Sequence, residues 1–281
     1  KCLGRGHQYS QGGDFLLKQC KAKKVICLVQ GIVFVLIFSL FAPMVSLKPL
    51  TIGTPSALAA NRSVKTIAAG TKYATSLYVI RSGVSGPVVM VVGGTHGNEP
   101  AGYKAAHLIK DYSVKKGTLL VIPEANRIAV QNKTRTAPGV GDLNRSFPKT
   151  SSDKPDDPLA RAIWQTVKDY SVDYLIDLHE GYKYHLQTPS SWGQTVIYYP
   201  NKGTKALADR MVSAINSSIS TPSQRFSTVK YPYKGELSRS TGQFLGCHSY
   251  VIESCRLESL NTRIGRHTTA VKTALKYLNM Q

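Results

Sequence analysis

Cysteine is scarce in this chain of 281 residues, which holds only five. Three of them, Cys2, Cys20 and Cys27, lie near the beginning, so the remainder contains only Cys247 and Cys255. If the segment between these two is a continuous strand, they lie roughly 26 Å apart, and a disulfide would need a sharp fold-back. The sequence therefore excludes a disulfide framework, and we expect two free thiols.

Acidic residues are also few, since 16 Asp and Glu stand against 36 Lys and Arg, a formal net charge of +20. Residues 1–59 hold seven of the basic residues and one of the acids, which leaves +14 on residues 60–281. Such a charge favours an anionic cell wall or carboxylate-bearing substrates, although solubility alone would also account for it. Nucleic acid is not expected as a partner, because the sequence has no recognised nucleic-acid module and no dense basic helix.

The first 59 residues lack the pattern of a folded domain. A cluster of four lysines at 18–24 precedes an apolar run over about 25–47, and Ala57-Leu58-Ala59-Ala60 follows. This order is typical of an export signal, so we predict a signal peptide over 1–59. The apolar run also approaches the roughly 20 residues that span a bilayer, so an uncleaved membrane anchor is the alternative. In both cases residues 60–281 are expected outside the cytoplasm, secreted or in the cell envelope, with a membrane as partner only through an uncleaved leader.

Apolar runs alternate with helical periodicity along the rest of the chain. Strands are predicted over 87–92, 118–122, 174–178, 195–199 and 249–252, and helices over 99–112, 157–170, 204–219 and 262–278. A β-rich stretch at 61–81 suggests a hairpin or edge strands, and the polar stretches 125–154 and 220–246 are predicted to be long loops. The alternation predicts an α/β fold, with a mixed, largely parallel β-sheet sandwiched by helices, in one catalytic domain over 60–281.

Two histidines and a glutamate follow predicted strands, at the edge where open α/β sheets bind ligands. His96 and Glu99 are three residues apart at a strand-to-helix junction, and His179 follows another strand. Two His and one Glu form a donor set of catalytic zinc sites, which keep a fourth position for water. On spacing alone, a chance grouping of surface residues is the alternative.

A further carboxylate at the same edge is a candidate general base. Glu253 follows the last predicted strand, and a carboxylate beside a metal ion can take a proton from water. Glu180, Glu236 and Glu258 are rivals on composition alone. Glu253 could instead be a surface residue paired with Arg256.

The predicted loop 125–154 is rich in groups that bind carboxylates. It contains Arg127, Arg135 and the pair Asn144-Arg145. A guanidinium offers a bidentate fork, an amide adds a donor, and an arginine near a metal could also stabilise an oxyanion. A solvated basic loop is the alternative.

Four segments, in this order and at roughly these spacings, resemble the zinc carboxypeptidase superfamily. They are His96-Gly97-Asn98-Glu99, Asp142-Leu143-Asn144-Arg145-Ser146-Phe147-Pro148, Asp177-Leu178-His179 and Val251-Ile252-Glu253. The sequence Gly-Thr-His-Gly-Asn-Glu at 94–99 is especially similar to that of the succinylglutamate desuccinylase/aspartoacylase branch. The resemblance covers about residues 87–256 and implies one bound Zn²⁺.

The resemblance also implies the chemical machinery. His96, Glu99 and His179 match the zinc ligands. Glu253 matches the general base that deprotonates water and later protonates the leaving amine. Asp142 matches an acid that hydrogen-bonds a ligating histidine and fixes its tautomer.

The residues that hold the substrate are implied in the same way. Asn144 and Arg145 match the pair that grips the substrate carboxylate. Arg135 best matches the arginine that faces the scissile carbonyl, with Arg127 as the alternative. The family's mobile tyrosine corresponds to either Tyr231 or Tyr233.

Two departures from the desuccinylase/aspartoacylase branch favour a peptide substrate. Its members are usually cytoplasmic and carry a C-terminal β-rich domain, whereas this chain has an export signal and about 25 residues after its last motif; the segment 181–193 also differs. We therefore predict an exported zinc-dependent metallocarboxypeptidase that cleaves a bond next to a free carboxylate, with cell-wall stem peptides as candidate substrates. The alternatives are an N-acyl amino acid deacylase and, in another class, a non-catalytic wall-binding module.

Overall fold

A computed structural model describes residues 61–139 and 141–281. The predicted signal peptide or membrane anchor over residues 1–59 lies outside this part of the chain. In the described part, no helix combines the length and the apolar character needed to cross a bilayer.

Eight strands of the described residues form one mixed sheet. They are β1 (Asn61–Ile67), β2 (Thr75–Arg81), β3 (Val88–Gly93), β4 (Thr118–Ile122), β5 (Tyr174–Gly181), β6 (Thr195–Tyr198), β7 (Ser227–Lys230) and β8 (His248–Cys255). Their order across the sheet is β1-β2-β4-β3-β5-β8-β6-β7. The pairs β4–β3, β3–β5, β5–β8 and β6–β7 are parallel, and the pairs β1–β2, β2–β4 and β8–β6 are antiparallel. The predicted mixed, largely parallel sheet is confirmed.

Helices cover both faces of the sheet. They are α1 (Pro100–Ile109), α2 (Arg127–Asn132), α3 (Pro158–Asp169), α4 (Thr204–Asn216), α5 (Leu237–Phe244) and α6 (Leu260–Tyr277). Their starts follow local rules: Asp157 caps α3 by accepting from the Ala160 amide, and Ser259 caps α6 in the same way through Thr262. The sandwich is therefore specified locally as well as by packing.

The side chains on the two faces of β3 pack into separate hydrophobic cores. Val89 and Val91 pack with side chains of α1, α4 and α6, whereas Met90 and Val92 pack with side chains of α3 and α5. A strand buried on both faces has no polar side to show, which explains the continuous apolar run in the sequence.

The strands that lead to the candidate site are longer than predicted. β5 continues to Gly181 and β8 to Cys255, so His179 and Glu253 lie within strands rather than after them. The expected long loops are also wrong in part, because they contain α2, β7 and α5. These elements are short and carry few apolar residues, so their periodicity is weak in the sequence.

Both cysteines of the described part are free and buried, as expected. Cys247 directly precedes β8 and Cys255 ends it, so the length of the strand separates them. Burial raises the pKa of Cys247 to about 12.

Gly102 allows α1 to approach β5 closely, which brings the start of the helix to the end of that strand. A Cβ at this position would lie 2.4 Å from the carbonyl oxygen of Leu178. We expect Gly102→Ala to destabilise the fold by about 1–3 kcal/mol through overpacking. Gly265→Ala is the matched control, because Gly265 lies in α6 with open space around it. That change should stabilise by about 0.5–1 kcal/mol. Thermal unfolding of both variants checks the prediction, and equal melting temperatures would contradict it.

His267 should make the fold sensitive to acid. Its imidazole is fully buried in α6, 3.1 Å from the Ser254 hydroxyl, and burial lowers the pKa of His267 to about 3. Below pH ~6.5 the unfolded chain therefore binds a proton at this histidine that the folded chain does not bind. The free energy of unfolding falls by up to about 1.4 kcal/mol per pH unit as the pH is lowered toward about 3. His267→Gln should flatten this loss in urea unfolding between pH 7 and 4. The control is Asn261→Gln, at an exposed position of α6 whose side chain does not titrate, which should leave the slope unchanged.

Candidate metal centre and active site

The parallel pairing of three strands brings distant segments to one edge of the sheet. β3 ends beside Leu178 of β5, and His179 lies directly opposite Glu253 of β8. The turn after β3 carries His96 and leads to Glu99, the residue that precedes α1. The edge predicted from the sequence as the binding edge therefore holds all four side chains.

Three buried donors converge at this edge. Glu99 Oε1 lies 2.9 Å from His96 Nδ1, and Glu99 Oε2 lies 2.9 Å from His179 Nδ1. One ligand atom from each residue lies within 4.8 Å of the other two. Two imidazole nitrogens and a carboxylate oxygen form a set that can hold a divalent ion such as zinc.

The outer nitrogens of both imidazoles face carboxylates. His96 Nε2 lies 3.0 Å from Asp142 Oδ1, and His179 Nε2 lies 3.0 Å from Asp177 Oδ2. A carboxylate at Nε2 favours the neutral tautomer that carries the proton there, which would leave the Nδ1 lone pair for a cation held beside Glu99. The chemistry of the donor set therefore fits a bound cation.

Asp177 stands in one of the four motifs, although no role was predicted for it. Its side chain is fully buried, and Thr95 donates a hydrogen bond to its Oδ1 at 3.2 Å. The signal was present in the sequence: residues two apart in a strand share a face, so Asp177 and His179 had to point the same way.

The charges at the centre shift one another's proton affinity. Burial lowers the pKa of His179, but Asp177 and Glu99 outweigh it and raise that pKa well above its usual value. His96 behaves alike, since Glu99 and Asp142 overcome the effect of burial and raise its pKa. Burial raises the pKa of Glu99, but the two histidines reverse this and hold it below its usual range. Positive charge is therefore favoured at the shared point between these groups.

Glu253 borders the same cleft as the three donors. Burial raises the pKa of Glu253 to about 8, His179 opposes this, and Glu99 adds to it. In the described part of the chain, no lysine or arginine forms an ion pair with Glu253, so the expected alternative of a pair with Arg256 is not observed; Arg256 instead lies near Glu99 and Glu180.

The three rival carboxylates all have guanidinium partners. Glu180 pairs with Arg263, Glu236 with Arg145 and Glu258 with Arg266. Burial raises the pKa of Glu180 and of Glu236, and the paired arginine opposes that rise in each case. Each ion pair therefore makes its carboxylate a weaker proton acceptor than the same buried group would be without a cation.

Asn144 and Arg145 lie side by side at the cleft, in a short 3-10 turn (Leu143–Arg145). The Asn144 amide nitrogen lies 3.4 Å from His179 Nε2. Arg145 Nη1 donates to the Asn144 carbonyl at 2.7 Å and to Glu236 Oε1 at 3.0 Å, while 42% of its side chain remains exposed. Nη1 of Arg145 is thus engaged, while in the described part of the chain its other two guanidinium nitrogens form no hydrogen bond, and the residue borders the cleft.

The two candidate arginines for the scissile carbonyl occupy different places. Arg135 borders the cleft, donates to Asp142 Oδ2 at 2.8 Å, and reaches within 3.6 Å of Glu99. Arg127 lies outside the cleft, at the start of α2, where its Nε donates to the Ala74 carbonyl. The structure therefore brings Arg135, and not Arg127, to the metal centre.

The two candidate tyrosines differ in the same way. Tyr233 borders the cleft, with the Arg145 guanidinium 5.2 Å from its ring centre. Tyr231 lies outside it, packed against Tyr199 and Arg239, with a left-handed backbone (φ 66°). The structure therefore brings Tyr233 to the site and leaves Tyr231 away from it.

The connection between β5 and β6 forms one wall of the cleft, which has a volume of about 340 Å³. No site residue was predicted in this connection, although the segment 181–193 differs from the desuccinylase/aspartoacylase branch. The lining side chains it contributes are Tyr182, Lys183, Thr188, Ser190, Ser191 and Trp192. The centre thus lies at the base of an open cleft large enough for a small substrate.

Two solved structures share the fold. The cell shape determinant protein Csd4 of Helicobacter pylori, a D,L-carboxypeptidase, superposes with a TM-score of 0.61 and 23% identity over 70% of this chain and 52% of that chain. An aspartoacylase family protein of Mesorhizobium loti superposes with a TM-score of 0.58 and 18% identity over 79% of this chain and 67% of that chain. The predicted likeness to this superfamily and to its aspartoacylase branch is confirmed.

Residues 64–280 match the family of catalytic domains of carboxypeptidases controlling helical cell shape. This chain belongs to that family.

A curated relative is an amidohydrolase. An N-acyl-aromatic-L-amino acid amidohydrolase of Xenopus laevis is 37% identical over 123 residues, which cover 40% of this chain. The match spans 37% of the length of that relative, and the chain covers about half the length of the H. pylori structures.

Replacing Asp177 should weaken metal binding without unfolding the protein. We expect Asp177→Asn to lower the affinity for zinc by about 10- to 100-fold, because the amide no longer favours the ligating tautomer of His179. Competition with a chromophoric chelator measures the affinity. The control is Asp209→Asn, since Asp209 pairs with Lys205 on the surface of α4. Equal affinity in the Asp177 variant and the wild type would contradict the assignment.

Proposed function

We propose that this protein is an exported zinc-dependent hydrolase, a metallocarboxypeptidase that cleaves the bond next to a free carboxylate. One observation carries the proposal: the donors His96, Glu99 and His179 share a cleft with Glu253 and with Arg145. A metal site, a proton acceptor and a carboxylate-binding cation are the parts that this reaction needs.

Glu253 acts as the general base and then as the general acid. A bound zinc ion would acidify water and polarise the scissile carbonyl. Glu253 accepts the proton of the attacking water and delivers it to the leaving amine. Its register opposite His179 supports this role, because it keeps the carboxylate beside the metal centre.

The remaining polar residues hold the substrate and its developing charge. The open nitrogens of Arg145 and the Asn144 amide bind the substrate carboxylate, which fixes the scissile bond over the metal centre. Arg135 stabilises the negative charge that develops on the carbonyl oxygen. Tyr233, whose ring faces Arg145, borders the same carboxylate subsite.

A peptide is the favoured substrate. The family controls helical cell shape, and its H. pylori relative is a D,L-carboxypeptidase described with mDAP and with a tripeptide bound. The predicted export signal and the basic charge support a cell-envelope location and an anionic wall as surroundings. A deacylase for N-acyl amino acids is the second candidate, since the curated amidohydrolases match 123 residues of this chain.

Glu253→Gln should abolish hydrolysis while leaving zinc binding intact. We expect kcat to fall about 10²- to 10⁴-fold, because the amide cannot accept a proton. The measurement is release of free amino acids from wall stem peptides and ordinary peptides, and of acyl acids from N-acyl amino acids, by the zinc-loaded full chain. Glu258→Gln is the control, because Glu258 pairs with Arg266 away from the cleft.

The outcomes separate the candidate functions. Release of amino acids alone supports the carboxypeptidase, and release of acyl acids alone supports the deacylase. Undiminished turnover by the Glu253 variant would remove Glu253 as the base. If the zinc-loaded protein turned over no substrate of either class, the non-catalytic wall-binding module would replace the hydrolase.

A further inference from the structure

A second cavity lies apart from the cleft of the metal centre. Its walls come from β1, β2, α1 and the turn that leads from β4 to α2, and it shares no lining residue with the cleft. Its volume is about 260 Å³. Pockets for drug-sized ligands have volumes of roughly 300–1,000 Å³, so this cavity suits a smaller molecule, about the size of an amino acid.

Arg127 borders this cavity, and the proposed reaction gives it no role. Its Nε donates to the Ala74 carbonyl at 3.1 Å, which anchors the guanidinium. In the part of the chain that the structure describes, its Nη1 and Nη2 donate to no acceptor, and no carboxylate pairs with it. Two adjacent free donors on an anchored guanidinium fit the two oxygens of a carboxylate.

Glu124, three residues earlier in the chain, brings the opposite charge to the same cavity. Its Oε1 lies 2.9 Å from Nε2 of His107, on the facing side of α1. Among the described residues, none donates a hydrogen bond to Oε2, and 29% of the side chain is exposed. That oxygen is therefore available to accept hydrogen bonds from an ammonium group.

These two charges border one cavity without pairing with each other. His107 is the ion-pair partner of Glu124 in the described part of the chain, so the Arg127 guanidinium lies more than 4.0 Å from its oxygens. The turn between them is fixed, because the Ala125 amide donates to the Gly93 carbonyl at 2.8 Å and the Thr75 hydroxyl donates to the Glu124 carbonyl at 2.6 Å. A cation and an anion held apart across a cavity are complementary to a small molecule that carries both charges.

The rest of the lining restricts the side chain of such a molecule. Ala74, Tyr78 and Pro123 contribute apolar surface. Apart from Glu124, Arg127 and His107, the described residues that line the cavity are uncharged. The side chain of the ligand is therefore expected to be uncharged as well.

We infer that this cavity is a second binding site, for a free α-amino acid with an uncharged side chain. The carboxylate of the amino acid accepts hydrogen bonds from Nη1 and Nη2 of Arg127, and its ammonium group donates to Oε2 of Glu124. The inference goes beyond the proposed function and does not depend on it, because no residue of this cavity borders the cleft or belongs to the metal donors.

Ligands that differ by one charged group test the inference. The probes are L-leucine, 4-methylpentanoate, which lacks only the amino group, and 3-methylbutylamine, which lacks only the carboxylate. Calorimetric titrations use the zinc-loaded full chain with Arg145→Gln, so that binding at the carboxylate subsite of the cleft is weakened. Leucine should bind about five- to ten-fold more tightly than either analogue, as one charge-assisted contact provides in a partly exposed site.

Further substitutions in the same background assign each charge to its partner. Glu124→Gln should remove the advantage of leucine over 4-methylpentanoate and keep its advantage over 3-methylbutylamine. Arg127→Gln should do the reverse. The matched control is Arg225→Gln, because Arg225 Nε also donates to a backbone carbonyl at 3.1 Å, that of Ile219, but lies outside the cavity. This control should leave both preferences unchanged.

Several results would overturn the inference. They are the absence of leucine binding at millimolar concentrations, equal affinities for the three probes, and preferences that survive both Glu124→Gln and Arg127→Gln. The comparison of the three probes needs neither cavity variant, so it decides the matter even if those variants fail to fold. Peptide hydrolysis is not measured in these titrations, so a failure of the proposed function would leave their outcome unchanged.

Discussion

The parallel pairing of β3, β5 and β8 is the constraint on which the candidate site depends. It puts the carboxyl ends of three strands at one edge, so residues about 75 and 160 positions apart in sequence can act together. Register is as important as adjacency. His179 lies opposite Glu253, and a slip of one residue would turn the glutamate to the other face of the sheet, into the helices.

The second constraint is electrostatic. Glu99 is a buried carboxylate, and a buried charge is stable only where it is paired and hydrogen-bonded. Two imidazoles flank it, the Glu180 amide donates to Oε2 at 3.1 Å, and Arg135 and Arg256 approach Oε1 within 4 Å. The Asp142 and Asp177 carboxylates lie at the outer nitrogens of the two imidazoles and offset their positive charge. Carboxylates and imidazoles therefore alternate outward from Glu99. Each metal donor is held in place by several partners rather than by one.

The parts of the fold that the sequence predicted are those with a strong physical signal. The central strands are buried on both faces, so they appear as continuous apolar runs, and α1, α3 and α6 begin at Pro or at a capping residue. The histidines and glutamates of the site were found because they follow those runs. By contrast, α5 consists mainly of small and polar residues, and its packing against the sheet is a tertiary effect that no local pattern reveals.

Sequence reasoning failed to choose between alternatives where a local backbone detail decides direction. Arg127 and Arg135 belong to one predicted loop, but Arg127 lies at the start of α2, which directs it away from the cleft. In an extended chain Tyr231 and Tyr233 would share a face; the left-handed φ of Tyr231 breaks that alternation, and only Tyr233 reaches the cleft. Such conformations depend on contacts made by residues far away in the chain.

The metal donors and the side chains of the connection between β5 and β6 lie in different structural settings. The metal donors and Glu253 lie on or directly after core strands, where both faces of the sheet fix their positions. The side chains of one wall of the cleft lie instead on the connection between β5 and β6, whose backbone makes close contacts at Gly181 and Gly193. Side chains between those two glycines can therefore change without moving a metal donor. A metal site does not by itself define a substrate, so any selectivity of this cleft would have to come from the other side chains that line it, those of this wall and Arg145 among them.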